Sequence, residues 1–257
     1  MTDIHQTAVV GKGAELGDGV QIGPLCVIGP NVKLGAGTKL MSHVVLDGFT
    51  KVGSGCTIFP FASIGTQTQD LKYKGGMTCV EIGDKTTIRE YVTINSGTND
   101  GETTKVGSGC LLCAYSHVAH ACKVGDGVIM SNCATLAGEV VVEDLAIIGG
   151  LTAAHQFVRI GRLCMVGGCT AVRQDCPPFM MVAGNPAEVA GLNSVGLKRK
   201  NVSEETQAEL KRAYKILYRE GLSTSQAVEK MKAELTKSPE VEHLISFIVN
   251  SERGITK

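Results

Sequence analysis

An apolar residue returns at every sixth position through most of this chain. Counted from Ile4, the series runs Val10, Leu16, Ile22, Ile28, Leu34, Leu40, Leu46, Val52, Ile58 and Ile64. It resumes at Ile82, Ile88 and Ile94 and continues from Val106 to Val172. Of the 29 positions in this phase between 4 and 172, 26 are apolar; Asp70, Gly76 and Asp100 are the exceptions. Neither a helix, with a period of about 3.6, nor a single strand, with a period of about 2, sustains such spacing. A period of six does fit a coil in which each hexapeptide makes one short strand and one corner. The aliphatic residue then points inward, and three hexapeptides close a triangular turn. Residues 18 apart stack on one another, about 4.8 Å from rung to rung.

Other features of the repeat agree. Gly often follows the aliphatic residue, as in Leu16-Gly17, Ile22-Gly23, Ile28-Gly29 and Val124-Gly125, where it is expected to accept corner dihedrals. Four places after the aliphatic comes a small residue, and six of the ten cysteines (Cys26, Cys56, Cys110, Cys122, Cys164, Cys176) occupy that slot. Packing is their expected role. Aromatic residues make up only 4% of the chain and Trp is absent, which suits thin, regular core layers.

The repeat breaks at about 66–80 and 98–105 but keeps phase, so both breaks read as loops leaving intact coils. Long polar loops on a rigid scaffold often carry function. After Val172 the repeat fades through Pro177-Pro178 and Gly184-Asn185-Pro186, and the composition turns to Glu, Lys, Ala and Leu. Helices are predicted near 203–220, 223–236 and 238–252 from Ser203, from the capping box Ser223-x-x-Gln226 and from Ser238-Pro239. Two domains are therefore expected: a parallel β-helix over 1–190 and a C-terminal α-helical domain over 191–257, covering the open end of the coil.

Formal net charge is zero, which gives no general attraction to nucleic acid or anionic membrane. The start, Met1-Thr2-Asp3-Ile4, has no basic and apolar leader, and no apolar run could span a bilayer. A cytoplasmic protein without integral membrane association is expected, with its cysteines as free thiols.

Histidine is scarce, and three of the six fall between 117 and 155. His120 sits two places after the inward Val118, at a corner, where a neutral imidazole can act as general base. Eighteen residues on is Gly138, expected directly beside it on the next coil. Glycine lets a substrate carbonyl approach the backbone N–H, so base and oxyanion donor would be adjacent. Taken alone, a solvated corner histidine beside an ordinary turn glycine explains the same pattern.

The segments Gln69-Asp70-Leu71-Lys72-Tyr73, Ile88-Arg89-Glu90-Tyr91-Val92-Thr93-Ile94, His117-Val118-Ala119-His120, Ala146-Ile147-Ile148-Gly149-Gly150, His155-Gln156-Phe157 and Gly196-Leu197-Lys198-Arg199 resemble the UDP-N-acetylglucosamine acyltransferase family. Those enzymes move a 3-hydroxyacyl chain from acyl carrier protein to the sugar nucleotide in the first step of lipid A synthesis. The resemblance extends over the whole chain. It implies a left-handed coil, a homotrimer with clefts between subunits, and no cofactor beyond the carrier's phosphopantetheine. It implies His120 as general base and Gly138 as oxyanion donor. It further implies substrate contacts from Asp70, Lys72, Asn95, His117, Glu139, His155, Gln156, Asn193 and Arg199, with Gly168 leaving the acyl groove open. Asn95 and Glu139 stand where relatives often carry His, and Ala121 where some carry Asp. These departures leave open whether the acceptor offers a 3-hydroxyl or a 3-amino group.

The last 67 residues hold 12 Lys or Arg against 9 Asp or Glu, with Lys198, Arg199, Lys200, Lys211, Arg212, Lys215 and Arg219 clustered. Such a cluster suits an acidic carrier protein. Alternatives are an acetyl-CoA-dependent relative, a zinc protein like the γ-carbonic anhydrases using His117, His120 and His155, and a non-enzymatic scaffold.

Overall fold

The computed structural model describes residues 2–257. The chain winds into a three-faced, left-handed parallel β-helix. Face A carries eleven strands, face B nine and face C eight. Most strands are two residues long: the second points inward and is buried, and the first points out. Registers follow the expected rung, as in Gln21↔Lys39 on face A and Thr135↔Ala153 on face B. Two rungs are longer. Thr57 pairs with Thr87 and Thr93 with His117, offsets of 30 and 24 residues. The loops thus add two hexapeptides and one hexapeptide, which is why the phase survives them. They cover 67–78 and 96–102, each between a strand of face B and the next of face C. The second begins two residues earlier and ends three earlier than the sequence suggested.

The glycine after the aliphatic serves a different purpose from the expected one. None of Gly17, Gly23, Gly29 or Gly125 has a positive φ; that falls two residues later, at Gly19 (69°), Leu25 (59°) and Gly127 (63°). What Gly17 and Gly23 allow is contact between coils. A Cβ on Gly17 would lie 2.6 Å from the Ala36 nitrogen, and one on Gly23 2.7 Å from the Met41 carbonyl oxygen. The true corner position accepts non-glycine residues in the left-handed region: His43, Phe61, Tyr91, Tyr115, Ala121 and Glu139 all sit there. Each costs on the order of 1 kcal/mol, and stacked coils on both sides hold it.

The core is a set of aliphatic columns, fully buried at Ile58, Ile64, Ile88, Ile94, Leu112, Val118 and Leu136. All six cysteines of the small slot are buried. They also donate: the Sγ of Cys56, Cys110 and Cys122 points to the carbonyls of Gly83, Gly125 and Ala137 at 3.1–3.2 Å. Thr38 and Thr152 do the same to Gly53 and Gly167 at 2.8 Å. The slot therefore selects a small side chain that can satisfy a carbonyl of the next coil.

Beyond the repeat, Met180–Ala183 joins face A and turns back as an antiparallel hairpin with Glu188–Leu192. That strand runs through residue 190. A short helix that the sequence reading missed follows, α1 (Ser194–Arg199), capped by Asn193. Then come α2 (Glu204–Tyr218), α3 (Thr224–Glu234) and α4 (Pro239–Val249). Their caps are Ser203, the full Ser223/Gln226 capping box, and Ser238 ahead of Pro239. None of these helices is long and apolar enough to cross a membrane.

One polar joint ties the helices to the coil. Glu143 on the coil lies 2.7 Å from His243 of α4 and 3.4 Å from Arg159. Arg159 in turn covers the Phe247 ring at 4.3 Å and donates to the Asn250 carbonyl. Burial opposes ionisation of Glu143, but His243, the Arg162 N–H and Arg159 outweigh it and hold the carboxyl below its usual range. A carboxyl with a lowered folded value stabilises the fold above its unfolded value, near 4.5, and loses that contribution as pH falls through the folded value. Glu143→Gln should therefore lower stability by about 1–3 kcal/mol at pH 7. The gap between mutant and wild type should shrink below about pH 4.5, which thermal melts across pH would measure.

Candidate active site

The edge between faces B and C gathers most of the residues singled out from the sequence. His120, Gly138 and Gln156 occupy the same corner position on successive coils. The His120 carbonyl accepts the Glu139 N–H at 2.9 Å, and the Gly138 carbonyl accepts the Phe157 N–H at 3.2 Å. Both long loops leave from this edge just below.

His120 points away from the coil but is not solvated; only 12% of its side chain is exposed. Its ring lies on the backbone of Gly138, so that any Cβ added there would overlap the imidazole Nε2 and Cε1. Gly138 is buried beneath that ring, and among the described residues no group accepts its N–H. On the other side, Asp70 of the first loop brings Oδ2 to 3.7 Å from His120 Nε2. The Lys72 N–H donates to Asp70 Oδ1 at 3.0 Å. That bond above all, helped by the charge of protonated His120 and of Lys72, keeps the Asp70 carboxyl below its usual range. Asp70 is therefore an anion at neutral pH, facing the imidazole. His120 Nδ1 is buried and has no partner among the described residues. Nε2 is thus the nitrogen that faces the carboxylate, on the side of the ring that lies against Gly138.

The neighbouring residues divide by burial. His117 on face B lies 2.7 Å from Thr93 Oγ1 through Nδ1, and burial pushes its pKa down, so it stays neutral. Lys72 and His155 are exposed. Gln156 reaches Glu139 at 3.4 Å. Asn95 is only 4% exposed; its amide donates to Thr66 and to the Gln67 carbonyl at the root of the first loop. Its Oδ1 has no partner among the described residues. Asn193 accepts from the Gly196 N–H and donates to the Leu163 carbonyl. The three central histidines do not converge. Among the described residues no group of three His, Cys, Asp or Glu is arranged to hold a metal ion.

Two expected site residues lie on other edges of the prism. Gly168 follows the face A strand Met165–Val166, at the edge between faces A and B. Arg199 is on α1, whose cap Asn193 is anchored at the edge between faces C and A. Within one chain neither stands with His120. Thr68, Thr93, Thr98 and Glu102, which support the site, were not singled out from the sequence. Only polarity within two loops marked the first, third and fourth.

A three-faced β-helix wound from hexapeptides places the chain among the hexapeptide-repeat transferases. The hexapeptide transferase family matches residues 1–36 and 103–138, and the second domain of UDP-N-acetylglucosamine O-acyltransferase matches 175–256. The chain belongs to the acyl-[acyl-carrier-protein]–UDP-N-acetylglucosamine O-acyltransferase family. It is 52% identical to the member from Thermodesulfovibrio yellowstonii, over all of both chains. It is 55% identical to that of Chlamydia trachomatis serovar D, over all of this chain and 92% of the relative. Among solved structures, LpxA from Acinetobacter baumannii superposes with a TM-score of 0.96 at 44% identity, over 99% of both chains. The UDP-N-acetylglucosamine acyltransferase from Campylobacter jejuni gives 0.92 at 37%, again over 99% of both.

The φ of Gly138 is not positive, so alanine fits its backbone, and only the imidazole stands in the way. If His120 acts in the reaction, Gly138→Ala should keep the circular dichroism spectrum while lowering kcat by about 100-fold, because the displaced imidazole loses its alignment.

Proposed function

We propose that this chain transfers a 3-hydroxyacyl group from acyl carrier protein to the 3-hydroxyl of UDP-N-acetylglucosamine, the first step of lipid A biosynthesis. Full-length similarity to enzymes of that name supports the substrates. The observation that carries the mechanism is the seat of the His120 ring on the Gly138 backbone. His120 Nε2 takes the proton of the acceptor hydroxyl as its oxygen attacks the thioester carbonyl. The Gly138 N–H donates to the oxyanion that develops. Collapse expels the carrier's thiolate, which takes the proton back from the imidazolium, leaving a sugar ester and a free carrier thiol. The Asp70 carboxylate stabilises the imidazolium between these steps. No cofactor is required beyond the phosphopantetheine that the carrier brings.

A homotrimer completes this reading. The outer surface of face C is charged, with Glu15–Lys33 at 2.8 Å and Glu81–Lys105 at 2.9 Å, together with Lys51, Lys123 and Arg159. Face B presents no charged side chain along its strands, and face A presents Leu111, Ile129, Ile147 and Met165. The edge between them carries Leu25, Phe61, Tyr91, Tyr115 and Leu151, all more than 40% exposed. Phe61, Tyr91 and Tyr115 stack with ring centroids 4.8–4.9 Å apart. An apolar ladder between two weakly charged faces suits a threefold axis. Two copies would then bring Gly168 and Arg199 of one toward the His120 edge of the next. In that cleft Lys72, His117, Glu139, His155 and Gln156 would contact substrate, and Gly168 would admit a long acyl chain. The exposed Lys198–Lys200 and the cationic side of α2 would receive the acidic carrier, in the cytoplasm.

Purified protein given a panel of 3-hydroxyacyl carrier proteins, acetyl-CoA, and 3-hydroxyl and 3-amino UDP-sugars should form the O-acyl sugar nucleotide, identified by mass. His120→Ala should keep the fold and lose at least about 1,000-fold in turnover. Undiminished turnover in that mutant removes the mechanism, and transfer from acetyl-CoA alone removes the donor. In sedimentation the wild type should behave as three 27.0 kDa chains, and a Tyr91→Asp/Tyr115→Asp variant as smaller species.

A further inference from the structure

We infer that Thr98 and Glu102 of the second loop are positioning residues, which brace Asp70 of the first loop against His120. Ala121, directly after this histidine, offers no carboxylate. The carboxylate nearest to the imidazole by hydrogen-bonding geometry comes from a separate loop, Asp70 at 3.7 Å. A loop residue needs a support to hold that distance, and the structure contains one.

Glu102 closes the second loop from within. Its Oε2 accepts the Thr98 N–H at 2.5 Å and the Asn99 N–H at 3.1 Å, and its Oε1 accepts the Asn99 amide at 3.4 Å. Burial works against this carboxylate, but the Thr98 and Asn99 amides keep its pKa below the usual range, so it remains charged. Thr98, thus fixed, donates through Oγ1 to Asp70 Oδ2 at 3.3 Å, the oxygen that faces His120. A second hydroxyl, Thr68, lies 3.3 Å from Thr98 Oγ1 and accepts the Asp70 N–H at 3.1 Å. The Lys72 N–H holds the other carboxylate oxygen. Further along, the loops are fastened together by Met77 N–H to Asp100, by Gly101 N–H to the Met77 carbonyl, and by Thr78 to Ser96. Asp70 is therefore aimed by the second loop as much as by its own. Neither Thr98 nor Glu102 hydrogen-bonds to His120; because the Glu102 charge also acts on the imidazole across space, Thr98 is the residue whose effect on turnover passes through Asp70.

The inference rests on the proposed role of His120. Its test therefore pairs kinetics with a measurement that does not depend on turnover. Thr98→Val removes the hydroxyl and keeps the shape; Thr98→Ser keeps the hydroxyl; Glu102→Gln removes the charge that holds the second loop. In Thr98→Val, kcat should fall about 10-fold with KM changed less than about 2-fold, since a misaimed group costs rate more than binding. Thr98→Ser should restore kcat to within about 2-fold of wild type, and Glu102→Gln should fall between them. Melting temperatures should stay together. Hydrogen exchange should quicken severalfold across 67–78 in Thr98→Val but not in Thr98→Ser. Unchanged exchange in Thr98→Val, or changed exchange with unchanged kcat, overturns the brace. A wild type inactive on these substrates, with exchange responding as stated, instead counts against the proposed reaction while the brace stands.

Discussion

The structure depends on the distance between coils. Backbones stack one strand spacing apart on all three faces, so the inside admits one aliphatic column per face and one small residue per corner. The same closeness removes the Cβ after many of the aliphatics, since a side chain at Gly17, Gly35 or Gly107 would enter the next coil. It also holds bulky residues at corners with positive φ, because hydrogen bonds to the coils above and below leave them no alternative. Strain at one corner is offset by a regular ladder at the next.

The site uses this closeness for chemistry. On most corners the space between coils is filled by packing or by an aspartate, as where Asp126 accepts the Ser108 N–H and Asp144 the Asp126 N–H. At 138 it is filled by an imidazole from the coil before. The inserted residues, twelve in one loop and six in the other, emerge at that same edge, so the scaffold is interrupted only where groups are needed beside His120. Rigidity and reach are separated: the coil carries His120 and Gly138, and the loops carry the Asp70 carboxylate and its support.

The prism is also unequal around its axis. Charge collects on face C; the middle of face A, face B and their shared edge carry mostly uncharged side chains, with Asp3, Lys39 and Glu188 toward the ends of face A. An isolated chain leaves such an edge wet, at a cost in apolar surface exposed to water. Gly168 and Arg199 stand on other edges, so only the proposed trimer would bring them to the cleft.

Much of this was written in the sequence. The six-residue period set the coil, the 18-residue rung put Gly138 beside His120, and helix caps at Ser203, Ser223 and Ser238 marked three helices, because each is a local pattern with one physical solution. The hairpin after Met180 and the short α1 escaped, since their stability comes from the last coil and not from periodicity. The bonds that the Asn95 amide makes to Thr66 and the Gln67 carbonyl, and the Asn193 amide to the Leu163 carbonyl, were not legible in the sequence. The distance from Asp70 to His120, and the Thr98 and Glu102 bonds behind it, belong to tertiary structure alone. They join residues from separate loops, whose meeting no repeat spacing encodes.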